Sequence, residues 1–292
     1  MKSIDRADLM IKPGRKVQLQ DFDPGSTGAF KTKQDAAAKL SEDIERLSTL
    51  QDIFYAQGIY ALLVIFQGMD AAGKDGVISH VMSGVNPQGV DVSSFKEPST
   101  EELAHDYLWR ASNVLPRRGR IGIFNRSYYE ELTVVRVHAS LLEGEHLPPQ
   151  TAESNIWNER FEDIVAFERH LWRNGTLILK FFLHVSKGEQ RKRLLERIDT
   201  PEKNWKLSPA DVGERAFWDS YQHAYEELLT HTCTEHAPWY VIPADHKWFT
   251  RAAVAQVIVA RLEALGLGYP HGNDEQRAQL LIARKQLTRE GS

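Results

Sequence analysis

Five short runs of apolar, β-branched or aromatic residues punctuate the chain: "YALLVIF" (60–66), "VDVSSF" (90–95), "RIGIF" (120–124), "LILKFFLHV" (177–185) and "WYVIP" (239–243). Each has the length of a strand and is too short to cross a bilayer. Between them the apolar positions change to helical spacing. Residues 32–56 put Leu40, Ile44, Leu47, Leu50 and Phe54 on one face, and Gly58 supplies a stop. Ser99 followed by Glu102 predicts a capping box that opens a helix towards Trp109, and Ile156, Ile164, Phe167 and Leu171 predict another over 153–173. This alternation predicts an α/β domain: a five-stranded parallel sheet with helices on both faces.

Residues 187–221 interrupt the alternation. They are charged, and Pro201 and Pro209 divide them, which predicts a helical lid of short pieces between the fourth and fifth strands. No repeat or Gly/Ser linker separates two cores, so residues 1–292 read as one domain with three additions. These are an N-terminal arm and helix (1–58), the lid (187–221) and a C-terminal extension (268–292) ending in the amphipathic "EQRAQLLIARKQLTRE".

Composition narrows the function. A chain of 292 residues that is 42% hydrophobic and 26% charged can bury a large core, and its net charge of -4 argues against a general nucleic-acid binder. Basic residues concentrate locally: five arginines and no acids between Arg110 and Arg126, and nine Lys or Arg against six acids over 180–215. The opening "MKSIDRADLMIKPGRK" has neither a signal-peptide nor an anchor pattern, and Cys233 is the single cysteine, so a cytoplasmic protein with no membrane partner is expected. His231, Cys233 and His236 lack a second cluster to complete a zinc site.

The chemistry begins at "GMDAAGKDG", residues 68–76, a Walker-like loop between the first strand and a helix. Gly68, Ala71, Ala72, Gly73, Lys74, Asp75 and Gly76 are candidate phosphate ligands, with Lys74 as the point charge. Asp75 stands where Ser or Thr normally contacts magnesium, and Asp70 is a second acid within the loop. A carboxylate beside a phosphate calls for a divalent cation between them, so Asp70 is read as a magnesium-side residue or as the group that positions the acceptor. Asp75 either reaches the metal through water or favours the positive helix end.

The third strand ends in Asn125, whose amide oxygen is a weaker magnesium ligand than a carboxylate; this increases the burden on Asp70. Arg126 leaves the sheet at the edge where open α/β folds bind ligands, either to bridge phosphates or to pair with Glu130 or Glu131. Lys96 leaves the second strand towards the same edge, as a clamp for an acceptor phosphate. In the lid, Arg191, Arg193, Arg197, Lys203, Lys206 and Arg215 are candidates to fold over transferred phosphates, with Trp205 and Trp218 as packing.

These stretches, together with "SFKEPS", "EELAHDYLWR", "IGIFNRSYYEELTVVRVH", "KNWKLSPAD" and "APWYVIPADHKW", resemble the polyphosphate kinase 2 family of P-loop kinases from about Lys12 to Leu265. The resemblance implies a thymidylate-kinase-like three-layer sandwich and magnesium-dependent transfer between inorganic polyphosphate and AMP, ADP or ATP. It implies catalytic roles for Asp70, Lys74 and Arg126, a nucleotide site drawing on Lys96, Asn125, Arg126, Glu130 and Arg136, and a homo-oligomer, dimer or tetramer. Many members have Asp where this chain has Asn125, and the Asn form resembles the subgroup that phosphorylates both AMP and ADP. An ATP-dependent kinase and a non-catalytic sensing module are the rival readings.

Overall fold

The five apolar runs pair side by side in the computed structural model, which describes residues 4–148, 155–206 and 208–290, without the side chains of Lys206 and Pro209. Strands β1 (Ala61–Gln67), β2 (Val90–Ser94), β3 (Ile121–Asn125), β4 (Thr176–His184) and β5 (Trp239–Pro243) form one parallel sheet in the order β2-β3-β1-β4-β5. The middle strand, β1, is buried at all seven positions. Its sequence shows no alternation because both of its faces are covered.

Among the described residues, seven helices have eight residues or more: α1 (Lys33–Gln57), α2 (Lys74–Val81), α3 (Ile156–Arg173), α4 (Lys187–Ile198), α5 (Trp218–Thr232), α6 (Lys247–Glu263) and α7 (Asp274–Glu290). Helices α1 and α6 pack together with α2 on one side of the sheet, and α3 packs with α5 on the other. Thr32 caps α1 by accepting from the Asp35 amide at 3.1 Å, and Gly58 closes it in the left-handed region at φ 61°. The anticipated face of α1 points inward: Leu47, Leu50 and Phe54 are buried, while Leu40 and Ile44 are half-buried.

Strand β4 carries a buried charge. Lys180 donates to Glu168 of α3 at 2.6 Å, to the Tyr129 hydroxyl at 2.9 Å and to the Thr232 carbonyl at 2.8 Å. Tyr128 and Tyr129 both donate to Glu168, so the buried lysine spends all three protons and the carboxylate accepts three hydrogen bonds.

Two segments differ from expectation. The capping box at Ser99 and Glu102 forms, but its helix covers only Thr100–Leu103 and a second turn begins at Trp109. The Asp106 carboxylate accepts from the Leu108 amide at 2.9 Å, a local turn that competes with helix continuation. Every residue of α7 is exposed, including Leu280, Leu281, Ile282 and Leu287, so the extension does not pack on its own core.

Between Ile198 and Trp218 the chain runs as short turns at Pro201–Lys206, Pro209–Gly213 and Glu214–Phe217. The preceding twelve residues form α4, which buries Gln190, Arg193 and Leu194. That helix is a fixed base for the excursion. Ser186 anchors its start, capping Glu189 at 3.1 Å and donating its own amide to Asp245 at 2.8 Å.

Candidate active site

All five strands direct their C-terminal ends to one edge of the sheet, where the loop after β1 turns into α2. Gly68 sits at φ 149°, and a Cβ there would lie 2.8 Å from the Leu183 carbonyl, so no side chain fits. Ala71 is left-handed at φ 60°, and Gly73, at φ 108°, caps α2. The loop's carbonyls are turned into the protein and held there. Lys74 Nζ donates to Gly68 O at 2.7 Å and Met69 O at 3.3 Å, and Gln190 Nε2 to Asp70 O at 3.0 Å. Arg193 Nη1 donates to Ala71 O at 3.0 Å and Ala72 O at 2.8 Å. The Ala72 amide closes the turn on Met69 O at 3.1 Å, and the rest of the loop leads into the N-terminus of α2 at the cleft, the type of backbone that binds phosphate.

Burial, followed by the Arg126 charge, lowers the Lys74 pKa to about 8, against the opposing pull of Asp70, Glu130 and Asp75.

Arg126 follows β3 at φ 64°, its amide donating to Phe66 O at 3.0 Å across the β1–β3 seam. One guanidinium nitrogen, Nη2, contacts Asp70 Oδ1, and Nη1 donates to Glu130 Oε2 at 2.9 Å. Glu130 first, then Asp70, hold this guanidinium protonated well above its ordinary pKa, in spite of its burial. Beside it, Asn125 Nδ2 donates to Asp75 Oδ1 at 2.7 Å. Each acid of the loop is thus matched to a donor at the end of β3.

Among the described residues no group of three or more His, Cys, Asp or Glu forms a ready metal cage, and this includes His231, Cys233 and His236. The donor set nevertheless fits magnesium. That ion is commonly held by one or two carboxylates with water and substrate phosphates, and Asp70, half-buried at the cleft, supplies one such carboxylate.

The loop opens onto a cleft of about 1760 Å³. Residues 70–76, Lys96, Asn125, Arg126 and Glu130 line it, joined from the 187–221 segment by Arg193, Arg197, Lys203 and Trp205. Several anticipated ligands lie elsewhere. Arg136 pairs with Glu227 of α5 and stacks over Trp157 of α3 at 5.6 Å, outside the cleft lining, because Val134 and Val135 of the same turn take the cleft side. Arg191 is exposed and does not line the cleft. Arg215 also falls outside it, donating to Lys187 O at 3.2 Å and to Gln190 Oε1. Arg193 reaches the cleft wall with its fork occupied by backbone carbonyls, including Ala244 O at 2.5 Å, so it braces the loop. The side chain of Lys206 lies outside the described part.

Other cleft residues escaped the sequence reading. Lys247 and Arg251, on the first turns of α6, line the cleft, and Arg251 Nη2 is 3.9 Å from where a Cβ on Gly76 would be. Burial and the neighbouring Arg193 lower the Lys247 pKa. The signal was present: Lys247 follows β5 at the same edge at which Lys96 follows β2. Arg110 also lines the cleft, stacked over Phe95 at 5.0 Å and donating to Lys96 O at 2.8 Å. The arginine-rich run divides across the sheet, since Arg120 precedes β3 and pairs with Asp91 at 3.0 Å, while Arg126 follows it.

Comparison with known proteins agrees with this geometry. The sequence pattern of the family described as Polyphosphate kinase 2 matches residues 30–266. An ADP-polyphosphate phosphotransferase of Rhodopseudomonas palustris is 50% identical over 285 residues, covering 97% of this chain and 99% of the relative. An AMP/ADP-polyphosphate phosphotransferase of Meiothermus ruber is 48% identical over 261 residues, covering 89% and 94%. The crystal structure of polyphosphate kinase 2 from Arthrobacter aurescens TC1 superposes with a TM-score of 0.85 at 39% identity, covering 94% of this chain and 95% of that one. From its P-loop edge to the helices around its sheet, this chain belongs to the polyphosphate kinase 2 family.

Proposed function

We propose that the protein transfers the terminal phosphoryl group between inorganic polyphosphate and AMP or ADP, forming ADP or ATP. The observation that carries this reading is the convergence of Lys74 and Asp70 from the end of β1 with Arg126 from the end of β3 at the mouth of one cleft. The polyphosphate end lies on the 68–76 loop. The acceptor phosphate lies towards Lys96 and Arg126, on the other wall. An acceptor phosphate oxygen forms the new P–O bond as the bridging P–O bond of polyphosphate breaks, leaving a chain one phosphate shorter. The acceptor oxygen is already a competent nucleophile, so no covalent enzyme intermediate is needed.

Catalysis on this reading is positioning and charge neutralisation. Lys74, the loop amides and Arg126 hold the oxygens in line, and Arg197, Lys203, Lys247 and Arg251 attract the rest of the polyanion. Asp70 would hold magnesium, which when bound supplies charge neutralisation on the transferred group. Asn125 and the AMP/ADP-acting relative of Meiothermus ruber support acceptance of both AMP and ADP. The nucleotide substrates and the single buried thiol, Cys233, fit a cytoplasmic enzyme. The exposed apolar residues of α7 support a homo-oligomer.

The donor is the test. Polyphosphate with AMP or ADP should give ADP or ATP without any added nucleoside triphosphate. Transfer only when ATP is supplied as donor would identify an ATP-dependent kinase, and tight polyphosphate binding without turnover would identify a sensing module.

A further inference from the structure

Gln190 is 1% exposed and lies outside the cleft lining, yet its side chain joins two parts of the site. Its Nε2 donates to the Asp70 carbonyl at 3.0 Å, and its Oε1 accepts from Arg215 Nη1. The amide orientation is fixed by its partners, since a guanidinium can only donate and a carbonyl can only accept. Arg215 also donates through both terminal nitrogens to Lys187 O, at 3.2 and 3.3 Å. The chain leaves α4 after Ile198, makes its short-turn excursion and returns at Arg215, which reaches back to the first turn of α4. The contact therefore forms only when the excursion is folded back.

We propose that Gln190 and Arg215 are positioning residues that carry the placement of the returning lid segment to the backbone of Asp70. This rests on the reading of Asp70 as an acid of the transfer. Arg193 holds the next two carbonyls from the same helix, three residues along from Gln190, so α4 fixes the loop from Asp70 to Ala72. The Arg193 contacts with Ala244 and Asp245 close between α4 and the β5 end, whereas Gln190 depends on a partner from the returning part of the lid. That difference makes the Asp70 carbonyl the point at which lid position reaches the loop. Neither Gln190 nor Arg215 needs to touch polyphosphate or nucleotide.

The test compares Arg215→Ala, Arg215→Lys, Gln190→Leu and the Arg215→Ala/Gln190→Leu double variant with the wild-type protein. The measurements are kcat, KM for long and short polyphosphate, and amide hydrogen exchange of the 68–76 loop. Loss of positioning should lower kcat by about 10- to 100-fold with polyphosphate KM within about twofold. Exchange in the loop should quicken, and the double variant should be no worse than the more affected single one. Arg215→Lys should recover part of kcat, since an ammonium can still donate to Gln190. A raised polyphosphate KM with unchanged kcat in Arg215→Ala would overturn the proposal and make that residue a phosphate ligand. Additive losses in the double variant would also overturn it. Exchange is read without turnover, so unchanged loop exchange beside a normally inactive Asp70→Asn variant overturns the relay alone. An active Asp70→Asn variant overturns the reading of Asp70 and the relay's catalytic role with it.

Discussion

Asp70 and Asp75 are two negative charges in a loop of the type that binds phosphate, and each is matched by a donor at the end of β3. Arg126 takes Asp70 and Asn125 takes Asp75 at 2.7 Å. An aspartate at position 125 would set two carboxylates at hydrogen-bonding distance, a repulsion that a cation relieves. Asn125→Asp should therefore bind its divalent ion more steeply, with ATP formation from ADP losing more than wild type when magnesium is lowered. Equal magnesium titrations for the two proteins would contradict the pairing. Lys74 gives a second expectation at this scale. Its pKa in the free protein is about 8 and the phosphate contact needs the charged form, so kcat/KM should decline as pH rises through about 8. Bound phosphate favours the ammonium, so the decline in kcat should fall at higher pH. Coincident limbs would separate Lys74 from the anion. The convergence of Asp70, Lys74 and Arg126 on one cleft is legible in the sequence because each follows the end of a strand. Arg136 was misread for the opposite reason: nearness to Arg126 along the chain does not tell which way the intervening turns face.

Helices α4 and α6 divide the support of the site between them. From α4, Gln190 and Arg193 hold the carbonyls of residues 70–72, more than a hundred positions away in the chain. No local pattern announces a side chain whose partners are distant backbone groups, which is why Arg193 read as a phosphate ligand. Helix α6 brings Lys247 and Arg251 to the cleft, where Lys247 lies near Arg193 and 4.0 Å from Glu196, and Arg251 lies beside Gly76 of the loop. Lys247→Ala and Arg251→Ala should raise KM for long polyphosphate more than for a short oligomer and leave the nucleotide KM near wild type. A matched change in both donor lengths would contradict a role along the chain path. The strands were readable throughout because each apolar run is bounded by turn residues. The helix expected from Ser99 to Trp109 was not, since the Asp106 turn is a local competitor that apolar spacing ignores.

At the scale of the molecule, α7 is a 17-residue helix exposed along its whole length. An isolated helix of that length is marginal in water, and Leu280 and Leu287, 70% and 68% exposed, give it an apolar stripe. Removing residues 268–292 should lower the number of protomers measured by light scattering while each site keeps its kcat. An unchanged mass would contradict a role for α7 in assembly. The parallel five-stranded sheet is legible in the alternation of strands and helices, whereas the strand order β2-β3-β1-β4-β5 and the exposure of α7 are not, since neither follows from local apolar spacing. The proposed phosphoryl transfer takes place at the Asp70, Lys74 and Arg126 corner of the cleft. The most direct test is the rate of ATP formation from polyphosphate and ADP at saturating magnesium, for wild type and for Asp70→Asn. The expected result is ATP formation by wild type and a fall of about 100-fold or more in the variant, with its thermal unfolding midpoint unchanged. Near-normal turnover by Asp70→Asn, or no ATP from the wild-type protein, would contradict it.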